Sequence, residues 1–148
     1  MENILPRREA RENAFLLAFS QTFGDVPLAE ALTNHAENDE EHPVDVFGKR
    51  LLNAYYDHSA EVDDLISSHL RNWTMARLPR VSLTVLRLAL AEMLYGDEKK
   101  VAVVINEAVE LTKKYGADED HQFVNGLLGT VAREQGLDTA EDAASETL

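Results

Sequence analysis

Arg7, Arg8 and Arg11 crowd five positions near the start of a chain that is otherwise strongly acidic. Guanidinium groups are planar, forked donors that match phosphate oxygens. On a helix, Arg7 and Arg11 would share a face one turn apart, with Arg8 beside them. Positive charge at a helix N-terminus opposes the macrodipole, at a cost of about some tenths of a kcal/mol per charge, and Glu9 and Glu12 offset only part of it. A broken local rule often marks a functional position. The cluster is either a phosphate-contacting patch or an ordinary solvated helix end.

Little else argues for chemistry. The chain has no cysteine, which removes disulfides, thiolate metal sites and cysteine nucleophiles. Its five histidines, His35, His42, His58, His69 and His121, are scattered without a zinc-like spacing. Glu92, Glu107 and Glu110 suggest the carboxylates of a di-iron bundle, but that design needs Glu-x-x-His pairs, which these positions lack. No glycine-rich phosphate loop is present, and no nucleophile has a base beside it. No catalytic residue, metal or cofactor is expected. Asn106 and Asn125 lie in apolar helical stretches and read as hydrogen-bonded structural links between two helices. Gly126, about 1 kcal/mol worse than Ala inside a helix, reads as a point of close helix approach. Phe123, next to His121 and Gln122, is either core, which its spacing favours, or a platform for stacking a base.

The elements that must position these residues are all helical. No stretch alternates with period two, so no sheet is expected. Seven helices follow from the apolar periodicity and the turn signals. They run from about residue 7 to 23, 28 to 37, after Pro43, after Ser59 as cap, from near Pro79 to Gly96, from Val101 to Tyr115 with Gly116 as a left-handed cap, and from about Asp118 to Gln135. They divide into a bundle over residues 1–72 and a second over 73–136, packed together, with an acidic tail over 137–148 expected to be disordered.

The net charge of −13 speaks against indiscriminate nucleic-acid binding, but the charge is uneven. Residues 24–70 carry two bases against eleven acids, whereas residues 71–115 carry eight bases against five acids. No apolar run approaches the length of a membrane span, and the N-terminal residues lack a signal-peptide pattern. A cytoplasmic protein is expected.

Several stretches together resemble the NusB family. They are the arginine-rich opening Arg7 to Glu12, Trp73-x3-Arg77-Leu78-Pro79-x-Val81 running on to Glu92, Val104-Ile105-Asn106-Glu107-Ala108-Val109-Glu110-Leu111 with Lys113 to Gly116, and Phe123-Val124-Asn125-Gly126-Leu127-Leu128. They follow family order along nearly the whole chain. The resemblance implies an all-α fold of seven helices in two small bundles and no catalysed reaction. It implies a transcription antitermination factor that binds boxA-type rRNA leader RNA together with the ribosomal protein NusE, within the RNA polymerase antitermination complex. Carried over by position, Arg7, Arg8 and Arg11 would contact phosphates, with His121, Gln122 and Phe123 on the same RNA-facing surface. Val81, Ser82, Val85 and Glu119 would face the protein partner, and Asn106, Asn125 and Gly126 would be structural. Gln122 stands where a basic residue is common, and the opening has fewer bases than many relatives. Modest RNA affinity alone, with reliance on the partner, is therefore expected. Two other readings are a helical adaptor that binds no RNA and a detached relative of the NusB-like domain of rRNA cytosine methyltransferases, for which no Rossmann pattern or cysteine is present. A homodimer through the first helix would hide the arginines.

Overall fold

The computed structural model describes residues 4–71, 74–98 and 100–137; Trp73 and the tail from residue 138 lie outside them. Among the described residues there are seven α-helices and no strand: α1 (Arg7–Gln21), α2 (Leu28–Asn38), α3 (Val46–Asp57), α4 (Ser59–Ser68), α5 (Arg80–Tyr95), α6 (Val101–Tyr115) and α7 (Asp120–Glu134). A single 3-10 turn, Met75–Arg77, leads into α5.

Proline sets three of the helix entries. Pro6, Pro27 and Pro79 precede α1, α2 and α5 with φ of −53°, −59° and −55°, the range to which the ring confines the backbone. At α3 the Asp45 carboxylate accepts the Gly48 N–H at 2.8 Å and the Leu5 N–H at 3.1 Å. It thus caps one helix and ties down the approach to another. Two expected caps differ. Ser59 is the first residue of α4 rather than its cap, and His58 precedes it without a side-chain bond to the helix's free N–H groups. Gly116 closes α6 in an extended conformation, φ −98° and ψ −174°, so the helix stops by straightening. The left-handed glycine is Gly136, φ 70°, at the end of α7. Beyond it, Leu137, expected to open the tail, packs against the core.

α5 is the central element. It packs against α1, α3, α4, α6 and α7, and ten of its sixteen residues are buried. A helix that is apolar on most sides has no other place to go. Leu86, Leu90 and Met93 of α5 share one continuous hydrophobic cluster with Phe15 and Leu17 of α1, Leu52 of α3, Ile66 of α4 and Leu128 of α7. Polar ties set the register around it. The Tyr55 hydroxyl of α3 donates to Asp63 of α4 at 3.1 Å, and Arg87 of α5 grips the same carboxylate through Nε at 3.0 Å. Burial, above all, pushes the Tyr55 phenol well above its usual range. No helix among the described residues is long and apolar enough to cross a membrane.

Candidate nucleic-acid interface

The N-terminal arginines lie on the side of α1 that faces α5, α6 and the loop between them, and each meets a carboxylate. Arg11 and Glu92 of α5 form a two-pronged pair, with Nη2–Oε2 at 2.7 Å and Nε–Oε1 at 2.9 Å. Both residues are buried, at 8% and 7% exposed. Arg8 grips Glu107 of α6 through Nη2 at 2.9 Å and Nε at 3.0 Å, yet its side chain stays 72% exposed. Arg7 reaches Glu98 at 2.8 Å and lies 4.1 Å above the Phe47 ring. One turn on, Glu12 accepts from Lys114 Nζ at 2.6 Å and from the Tyr115 hydroxyl at 3.0 Å.

These pairs set the charge states. The hydrogen bond from Arg7 holds Glu98 below the usual carboxylate range. For Glu12, burial raises the carboxyl, but the bonds from Lys114 and Tyr115 outweigh it and leave a net lowering. The hydrogen bond to Glu107 raises Arg8 further above its ordinary value. The three arginines differ in reach. Arg8 has Nη1 unbonded and most of its surface open, Arg7 is half-covered, and Arg11 is enclosed. The spacing at 7, 8 and 11 puts the three on neighbouring turns of α1. It does not reveal that the carboxylates at 92, 98 and 107 come back to meet it.

The first turn of α7 separates two concave surfaces, and the residues expected to act together at 121–123 divide between them. His121 and Gln122 line a groove of about 750 Å³ between α6 and α7, with Ala102, Ile105, Asn106, Val109, Asn125, Gly126, Gly129 and Arg133. Phe123 points into a cleft of about 640 Å³ with Arg71, Arg77, Pro79, Ser82, Glu119 and Asp120 among its walls. Phe123 is 39% exposed, contrary to the core position its spacing favours. The buried stripe of α7 is Val124, Leu127, Leu128, Val131 and Ala132, rotated one residue away from it.

Asn106 and Asn125 are also not where the sequence suggests. Both are exposed, and neither side chain bonds to any described residue, so they do not link α6 to α7. Gly126 is no point of close approach either, because a Cβ built on it meets nothing within 4 Å. The α6–α7 contact runs instead through the apolar stripes of the two helices.

The expected partner-facing set is split by burial. Val81 is half-buried and Glu119 exposed, whereas Ser82 and Val85 are 1% and 2% exposed, because α5 is the helix around which the others pack. Ser82 keeps one mark of a site: its hydroxyl, in the wall of the Phe123 cleft, is buried with no hydrogen-bond partner. Arg71 and Arg77, exposed in the same cleft, are cations that residue-by-residue reading missed; the excess of bases over residues 71–115 was their signal. Among the described residues no group of three or more histidines and carboxylates could hold a metal ion.

Against known proteins, the NusB family model matches residues 8–133. The chain is 37% identical over 131 residues to a transcription antitermination protein NusB of Lysinibacillus sphaericus, covering 88% of this chain and 100% of that protein. Its fold is similar to that of NusB of T. maritima, with a TM-score of 0.77 and 33% identity over 90% of this chain and 94% of that one. It is also similar to a chain in a crystal structure of antitermination factors NusB and NusE in complex with dsRNA, with a TM-score of 0.75 and 28% identity over 86% of this chain and 96% of that one.

Proposed function

This chain belongs to the NusB family, and on that premise we propose that it is a transcription antitermination factor that binds boxA-type leader RNA jointly with ribosomal protein NusE. It acts in the cytoplasm, inside the RNA polymerase antitermination complex, and catalyses no reaction of its own. The observation that carries the proposal is the match of nearly the whole chain to the fold of a NusB chain that has NusE and dsRNA as companions.

Arg8 and Arg7 contact the RNA backbone, Arg8 by its open Nη1 edge and Arg7 from above Phe47. Arg11 contributes indirectly, by fixing α1 against Glu92. Phe123 stacks on a base, helped by Arg71 and Arg77. That cleft also holds Ser82 and Glu119 of the proposed partner face, so RNA and NusE meet there and each completes the other's site. In the proposed division at residue 72, the first part supplies the phosphate contacts and the second the partner face.

The test is a fluorescence titration of a labelled boxA-type RNA with this chain, with NusE, and with both. The mixture binds more tightly than either alone, and Arg7→Ala with Arg8→Ala weakens it. Equal affinity for a scrambled RNA would refute the proposal. A helical adaptor without RNA is the second reading, and the ion pairing of all three arginines favours it. It is sustained if the mixture binds no RNA while the two proteins still associate.

A further inference from the structure

On a chain with 27 acidic residues against 14 basic ones, a concave surface without a carboxylate is unusual. The Phe123 cleft, the Arg8 depression, the cleft beneath Arg7 and the small hollow at Arg11 each carry two or more acids on their walls. The groove between α6 and α7 carries none, and it carries Arg133. Its polar lining is otherwise amide and imidazole: Asn106, Gln122, Asn125 and His121.

Helical spacing builds both walls. Residues 102, 105, 106 and 109 share one face of α6, and residues 122, 125, 126, 129 and 133 one face of α7. From 122 to 133 the α7 wall runs roughly 16 Å. Ile105 and Val109 give an apolar floor, and no Cβ stands at Gly126 to narrow the opening. α6 is shared with the arginine site, because its next face carries Glu107, the partner of Arg8. Two asparagines stand mid-helix, where propensity disfavours them, and bond to nothing described. An amide is the side chain that pairs two-pronged with a base edge.

We propose that this groove reads unpaired bases of the bound RNA. Asn106, Gln122 and Asn125 pair with base edges, the apolar floor carries the ring faces, and Arg133 meets a phosphate at the far end. The groove thus supplies sequence discrimination, while Arg7 and Arg8 supply affinity for the backbone. This rests on the RNA-binding function proposed above.

The experiment compares wild type, Asn106→Ala, Asn125→Ala, the joint variant and Arg8→Ala, each with NusE present. The probes are a labelled single-stranded boxA-type RNA, a base-permuted RNA of equal length and a duplex of the boxA-type sequence. Alanine is the better helix former, so the asparagine variants melt at or above the wild-type temperature and a loss of binding is not unfolding. The preference for the boxA-type over the permuted strand falls by about fivefold or more in the joint variant, while duplex binding is unchanged and Arg8→Ala weakens both strands alike. A joint variant with the wild-type preference, beside an Arg8→Ala that still weakens both strands, overturns the inference and leaves the RNA-binding function standing. Loss of NusE association with the preference intact makes the groove a protein surface and also overturns it. If wild type binds none of the probes, both proposals fail together.

Discussion

Arg11 is the arginine whose role the structure changes most, and replacing it makes the sharpest prediction. Its guanidinium and the Glu92 carboxylate hold each other through three N–O contacts of 2.7–3.2 Å, with both residues more than nine-tenths buried. Arg11→Met keeps most of the packing volume but leaves Glu92 charged and unpaired in the interior. Breaking a buried pair by removing one partner costs about 3–5 kcal/mol. For a domain of this size that corresponds to a fall of roughly 6–20 °C in Tm. Glu92→Leu alone costs a similar amount from the other side. The joint Arg11→Met, Glu92→Leu variant recovers most of the loss, because replacing both charges by apolar groups removes the desolvation penalty with the attraction. Urea unfolding of the four proteins gives the cycle directly. If Arg11→Met unfolds within about 1 kcal/mol of wild type while RNA affinity drops tenfold or more, Arg11 is an open RNA contact and the strut assignment is wrong. Strictly additive losses in the joint variant would dissolve the pair as a unit.

Three further outcomes follow from the geometry. Gly126→Ala fills open space and gains about 1 kcal/mol of helix propensity, so Tm rises by roughly 2–4 °C; a lower Tm would mean that something occupies the groove wall. The bond from His69 to the Leu65 carbonyl, followed by its contact with Glu134 at 2.6 Å, raises the His69 pKa against the lowering effect of burial. A folded pKa above the unfolded value of about 6.5 means that the α4–α7 clamp stabilises fully below that pH and is lost as pH climbs through the folded value. Wild type therefore loses stability relative to His69→Gln as pH rises from about 6.5 through the folded pKa, and identical pH slopes in urea unfolding would remove the clamp. Arg8→Ala, at a largely exposed pair, leaves stability close to that of wild type because solvent screens the pair, but it lowers the salt slope of RNA binding by about 0.7; an unchanged slope excludes Arg8 from the phosphate contacts.

Helix count and order were legible because period and punctuation agree: prolines ahead of α1, α2 and α5, and an apolar stripe at helical spacing in α6 and α7. What the sequence hid were relations between distant residues. Nothing at position 11 announces Glu92, 81 positions later, so the arginines read as one exposed patch when one is a buried strut. The family resemblance carried Ser82 and Val85 over by position to a partner face, but α5 is surrounded by five other helices. Phe123 read as core because 123 also fits a 3.6 period with 127 and 131; the stripe is set one residue further on, with Val124 as its apolar start. Asn106 and Asn125 read as buried on the premise that apolar neighbours on both sides bury the residue between them, which a helix with one solvated face does not require. Gly116 read as a left-handed cap on its residue type alone, while the chain leaves α6 in an extended course.

In the proposed function, the few usable cations on an acidic body meet an RNA backbone, with NusE completing the site. Titration of a boxA-type RNA with this chain plus NusE across a series of salt concentrations tests it most directly. A linear fall of log affinity with log salt is expected, with a slope worth two to three phosphates, about 1.4–2.1 for a single strand, and tighter binding than either protein gives alone. A flat salt dependence, or an affinity untouched by NusE, contradicts it.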